Sequence, residues 1–238
     1  MVSSAAARAL TEIESRASDV MRAFTPGALP AHTDSVTEAQ TQTTSNPLTI
    51  AAPKNAYFVV TDELGRHMYT RDGEFQIQNG AVVDRYHQPL LGFAKEGARL
   101  GALRIDSVDA ALHRAKDVRI EVDGSVTYMR ALIDPRTGEA RNTRFNLGRL
   151  ALARFPVGSE LLQHDATRGL APSGVAPHIG LPGDGNFEHV RTHVREGSRV
   201  NFADSIEKLR EAYLAFDALR SAEAVQGKLE KTTLDLVK

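Results

Sequence analysis

The chain has 238 residues, which is long enough for one sizeable domain with a hydrophobic core. Its 29 Lys+Arg against 30 Asp+Glu give a formal net charge of -1, which argues against a nucleic-acid partner because non-specific binding needs a broad basic surface. Cysteine is absent, which excludes disulfides, thiol nucleophiles and cysteine-ligated metals. No apolar run approaches the ~20 residues of a membrane-spanning helix.

Residues 2–24 have the pattern of an amphipathic helix that ends at Thr25-Pro26-Gly27. Charged side chains, Arg8 and Glu12 among them, interrupt any apolar run, so we expect no cleaved secretory signal. The apolar positions of this predicted helix fall at helical spacing on one face: Leu10, Ile13, Ala17, Val20 and Phe24.

A second amphipathic helix is predicted from Phe202 to about residue 237, with Gly227 as a possible interruption. Its apolar face begins with Phe202, and Ala222, Val225 and Leu229 continue it. The residues of this face that we expect to be buried by a partner are Ile206, Leu209, Tyr213, Phe216 and Leu219.

Between the two helices the apolar pattern changes to alternation, which predicts short antiparallel strands. Asn79-Gly80 predicts a hairpin with a type I′ turn between residues 75–78 and 81–83, and Asp123-Gly124 predicts a second hairpin. Leu150 and Leu152 indicate a late strand. The predicted fold class is therefore α+β, with a mainly antiparallel β domain between two terminal amphipathic helices.

Two polar segments have neither pattern. Residues 28–47 are rich in threonine and predict an extended connector, and residues 165–187 carry many glycines and prolines and predict an irregular loop. The expected organisation is an N-terminal helix in 1–27, a connector in 28–45, a β-rich domain in 46–199 and a C-terminal helix in 200–238.

The sequence offers little catalytic chemistry. His189 and His193 would chelate a metal on a helix, but their segment alternates like a strand, which separates the two side chains by about 13 Å. We therefore predict no catalytic, cofactor-binding or metal-binding residues, no cofactor and no small-molecule substrate. A hydrolase remains a minor alternative if carboxylates such as Asp62, Asp72 and Asp84 converge.

The apolar faces of the two helices have two possible partners. Each helix has one apolar face, and a face that no other part of the chain covers would favour association with other molecules. The faces are equally compatible with helices that pair within one chain or fold back on the β domain.

Several segments together resemble the axial proteins of the bacterial flagellum, the basal-body rod and hook family. Asn46-Pro47-Leu48 resembles the family's Asn-Pro-Leu-Asp motif, and Ala212-Tyr213 falls where the family has Ala-Tyr-Glu. The other matching segments are Thr25-Pro26-Gly27, Tyr57-Phe58-Val59-Val60, Tyr69-Thr70-Arg71-Asp72-Gly73-Glu74-Phe75, Pro89-Leu90-Leu91-Gly92, Leu150 to Pro156 and Glu196-Gly197-Ser198-Arg199-Val200-Asn201.

The resemblance implies a structural rod subunit that is not an enzyme. Its N- and C-terminal helices would pair as a coiled coil in an inner layer, and its β domain would lie outside this layer. It implies copies of the chain itself, other rod and hook proteins and the flagellar export apparatus as partners. It also implies type III export without a cleaved signal and a periplasmic place in the basal body. The alternative hypothesis is a diverged accessory protein that binds another envelope protein through the same β domain and forms no rod.

Overall fold

A computed structural model of the chain describes residues 4–30, 39–95, 97–107, 109, 115–133, 136, 138–159 and 161–236, with side chains described up to residue 229. Helices α1 (Ser4–Arg22) and α2 (Phe202–Leu236) flank the strands. The strands are β1 (Thr41–Thr43), β2 (Ile50–Ala51), β3 (Tyr57–Thr61), β4 (His67–Thr70), β5 (Gln76–Gln78), β6 (Ala81–Val83), β7 (Leu91–Phe93), β8 (Gly101–Ala102), β9 (Lys116–Ile120), β10 (Ser125–Ile133), β11 (Ala140–Leu150), β12 (Leu152–Arg154), β13 (Leu162–Gln163), β14 (Arg168–Leu170), β15 (His178–Gly180), β16 (Arg191–Thr192) and β17 (Val194–Glu196).

The described residues form two compact units. Unit 1 contains residues 4–24, residue 30 and residues 199–236, and therefore both helices. Unit 2 contains residues 25–29 and the described residues between 39 and 198, and therefore all the strands. Helices at the two ends and antiparallel strands between them confirm the predicted α+β class.

Unit 2 is built from two larger sheets and three two-stranded ones. One sheet has the strand order β8-β7-β11-β10-β9, and the other has the order β13-β14-β4-β3-β12-β15. The chain passes from the first sheet to the second at Ala151, where β11 ends and β12 begins. Every described strand pair is antiparallel, which agrees with the short turns of the sequence.

The core of unit 2 lies on both faces of β3. Phe58 and Val60 pack into one buried cluster, and Val59 packs into the other. Successive side chains of a strand point to opposite faces, so a strand buried on both sides has an unbroken apolar run. This explains why Tyr57-Phe58-Val59-Val60 has no polar alternation.

Both predicted hairpins are confirmed. β5 and β6 pair across Asn79 and Gly80, whose φ angles of 49° and 73° are those of a type I′ turn. β9 and β10 pair across a turn that contains Asp123 and Gly124, and the Asp123 carboxylate accepts the Ser125 N–H at 3.0 Å. The late strand is also present, divided between β11 and β12.

The segment predicted as an irregular loop, residues 165–187, contains two strands, so that prediction was wrong. β14 pairs with β4, and β15 pairs with β12. Both are three residues long and are held by tertiary neighbours, which leaves no local period in the sequence. Within the predicted connector, Thr41–Thr43 form β1, while residues 31–38 lie outside the described part.

Candidate assembly surface

The two helices of unit 1 pack against each other in opposite directions. The ring centroids of Phe24, just after α1, and Phe202, at the start of α2, are 4.8 Å apart, and the helices contact each other along their length. At about 1.5 Å per residue α1 spans about 28 Å and α2 about 52 Å, so α2 extends well past the start of α1. α2 is continuous through Gly227. Neither described helix is long and apolar enough to cross a membrane.

Part of the predicted apolar face is covered within unit 1. Ile13 is 5% exposed. We call the buried and half-buried apolar positions the inner stripe: Ala6 and Ile13, which are buried, and Ala17, Val20, Leu209, Ala212, Phe216 and Leu219, which are half-buried. They follow one another at three- and four-residue or seven-residue intervals, which is the spacing of a seam between two packed helices.

The remaining predicted positions stay open to solvent. Tyr213 is 52% exposed and Phe24 is 74% exposed. We call the exposed large apolar positions of the two helices, with Phe24, the outer stripe: Leu10, Met21, Phe24, Phe202, Ile206, Tyr213, Leu214, Val225 and Leu229. The single predicted face of α2 is therefore divided between a covered side and an exposed one.

Sequence reasoning did not assign an interface role to Ala6, Met21 or Leu214. Met21 and Leu214 each directly follow a predicted apolar position, and this adjacency was the available signal. Neighbouring apolar residues widen a helical face beyond one seam. An apolar residue exposed singly is ordinary on a protein surface, but several at helical spacing indicate a surface that binds another helix.

The carboxylates considered for catalysis are each paired with arginine. Burial raises the pKa of Asp72 to about 6, although the Arg85 guanidinium beside it acts in the opposite direction. Burial also raises the pKa of Asp84, whose carboxylate lies 3.6 Å from Arg168. The ion pairs are Asp62 with Arg66, Asp72 with Arg85, and Asp84 with Arg168.

The histidines considered as ligands lie in a broken strand. Arg191–Thr192 form β16 between His189 and His193, and His193 has a φ of 58°. Across the residues that the structure describes, no group of three or more His, Asp or Glu side chains is arranged to hold a metal ion. The candidate functional surface is therefore the outer stripe of α1 and α2.

The part of the chain that matches a known protein family lies in unit 2. Residues 54–128 match the family described as "Flagellar hook protein FlgE/F/G D1 domain". The D1 match begins just before β3, ends within β10 and covers just under a third of the chain. This match supports the interpretation that the chain is a structural protein of the flagellar hook and rod type. No curated protein matches the chain.

Proposed function

We propose that the chain is a structural subunit of the bacterial flagellar basal-body rod that assembles helically, through α1 and α2, into a torque-transmitting shaft. The observation that carries this proposal is the outer stripe, which leaves Tyr213 and its neighbours exposed although α1 already covers the inner stripe. The D1 match in unit 2 supports an axial protein of the flagellum. A rod subunit fits better than a hook subunit because the strands form one β unit.

In this proposal the inner stripe holds α1 and α2 together as a coiled coil, and the outer stripe packs against neighbouring subunits. A fully buried large apolar side chain contributes about 1.5–3 kcal/mol, so a half-exposed one such as Tyr213 has about half of this to gain on assembly. Several such residues outweigh exposed ion pairs, which contribute about 0–1 kcal/mol each. A head-to-tail contact whose rotation does not close propagates as a tube.

The proposal assigns a role to each part of the chain. Residues 1–27 and 200–238 form the inner helical layer, residues 28–45 connect it, and residues 46–199 form the outer β domain. The subunit is structural rather than enzymatic. Its partners are copies of itself, other rod and hook proteins and, before assembly, the flagellar export apparatus. It leaves the cytoplasm without a cleaved signal and takes its place in the periplasmic basal body.

Sedimentation velocity and electron microscopy of the purified chain over a rising concentration series test this proposal. Open-ended growth into tubes, alone or with other rod proteins, is the expected result, with unit 2 staying folded throughout. Discrete closed oligomers under both conditions would contradict it and favour the accessory envelope-binding protein.

A further inference from the structure

Two sequence segments 125 residues apart meet in one buried ion pair. Arg71 follows β4, and Glu196 ends β17. The Arg71 Nε donates to Glu196 Oε1 at 2.7 Å, and Arg71 Nη2 donates to Glu196 Oε2 at 2.6 Å. Both side chains are 2% exposed. The pairing is thus bidentate and almost fully removed from water, and geometry of this kind compensates best for the cost of burying two charges.

The remaining donors of Arg71 bind the loop between β2 and β3. Arg71 Nη1 donates to the carbonyl oxygens of Pro53, at 3.2 Å, and Ala56. Arg71 Nη2 donates to the carbonyl oxygen of Ala52 at 3.2 Å. All five N–H donors of the guanidinium are therefore used, which a lysine with three donors at one point cannot reproduce.

Glu196 lies where the chain enters and leaves unit 2. We call residues 25–29, 39–43 and 194–198 the junction segments. The Gly27 N–H donates to the Glu196 carbonyl at 3.1 Å, Thr41 pairs with Glu196 between β1 and β17, and the Gly197 N–H donates to the Gln40 carbonyl at 2.7 Å. All three junction segments are thus joined by backbone hydrogen bonds around the residue that Arg71 holds.

The strands of the junction segments are short, and a second, partly exposed ion pair, between Arg195 and Glu74 at 3.1 Å, also ties β17 to the rest of unit 2. β1 and β17 are each three residues long, and all three residues of β1 are exposed. Short strands with few buried apolar contacts open locally at low cost. The Arg71 pair opposes this opening, because moving Glu196 away would leave a charged guanidinium buried without its counter-ion.

We propose that the Arg71–Glu196 pair is a lock that fastens the junction segments to the core of unit 2, so that they open only together with the core. Tension applied along the chain ends then reaches the sheets through this pair rather than peeling β1 from β17. The lock is a property of the single chain and does not depend on the assembly proposed above.

Native-state hydrogen exchange of the full chain tests the lock at individual amides. The Gly27 and Gly197 N–H groups report on the junction segments, and the Val82 N–H, which donates to the Leu103 carbonyl at 3.0 Å, reports on the core. In Arg71→Met we expect junction exchange to accelerate by about a hundredfold or more, since one partner of a buried pair is gone, while Val82 changes far less. In Glu196→Gln, which keeps the size and a weaker hydrogen bond, we expect about tenfold.

The matched control is Arg66→Met, which breaks the exposed Arg66–Asp62 pair of 2.6 Å and should leave both reporters unchanged. Unchanged junction exchange in the Glu196 variant would overturn the proposal. Equal acceleration of the junction and core reporters would overturn it too, because the pair would then serve the whole core. If Arg71→Met does not fold, the milder Glu196 variant decides between these outcomes.

Discussion

Replacement of Tyr213 by aspartate places a charge on the exposed side of α2 without changing the side that packs against α1. Tyr213 is 52% exposed in the single chain, whereas Leu209 and Phe216, four residues before and three after it, are half-buried beside α1. A charge at Tyr213 can therefore stay in water while the subunit is alone, and it loses that water when a neighbour covers the outer stripe. The substitution should change assembly and leave the folded subunit intact.

The expected magnitude follows from the exposed area. A large apolar side chain contributes about 1.5–3 kcal/mol when fully buried, so the exposed half of Tyr213 has about 1–1.5 kcal/mol to gain per contact. Such a loss raises the critical concentration for assembly roughly 5- to 13-fold, before the cost of burying the aspartate is added.

The assay is the critical concentration from sedimentation of the full chain, with circular dichroism to measure melting of α1 and α2. The control is Ala215→Asp, two residues further along α2 and roughly 200° around the helix from Tyr213, which introduces the same charge at an exposed position outside the outer stripe. Equal effects of the two substitutions, or a normal critical concentration for Tyr213→Asp, would refute the reasoning.

Three further predictions concern unit 2. The folded-state pKa of Asp72, about 6, lies above its ordinary 3.8, so this group's contribution to stability is fully present below pH 3.8 and is lost as pH rises through 6. Urea titrations at pH 4.5 and 7 should therefore show a decrease in the unfolding free energy of about 2 kcal/mol that Asp72→Asn removes. Gly27→Ala should lower the unfolding free energy by more than about 2 kcal/mol, because the new Cβ would lie 2.4 Å from the Asp72 Cα, whereas Gly65→Ala, also at positive φ but with open space around it, should cost about 1 kcal/mol. A chain of residues 25–198 alone should melt cooperatively by near-ultraviolet circular dichroism and stay monomeric at concentrations where the full chain assembles; loss of its tertiary signal would contradict separable units.

The sequence predicted the elements whose signal is local. Asn79-Gly80 specifies a type I′ turn through the φ angles it tolerates, and the spacing of apolar residues in the helices needs no distant partner. The strands within residues 165–187 were not predicted, because they form through pairing with strands that are distant in the sequence. Thr70, for example, lies opposite Arg168 in the pairing of β4 with β14.

The assembly surface on α1 and α2 was also predicted only in part, because it too depends on which elements pack together. Helical spacing shows which residues share a face, but it does not show which side of that face the partner helix takes. Leu209 and Phe216 therefore could not be distinguished from Tyr213 before the packing of α1 was known. The Arg71–Glu196 pair could not be inferred either, since nothing in either segment identifies a partner 125 residues away.

Site-specific photo-crosslinking in the living bacterium tests the central claim most directly. A photoreactive phenylalanine at Tyr213 should form adducts with a second copy of the chain or with another rod or hook protein, and the same group at Ala215 should form far fewer. Adducts that join Tyr213 only to its own chain, or none in cells that assemble flagella, would contradict assembly through the outer stripe.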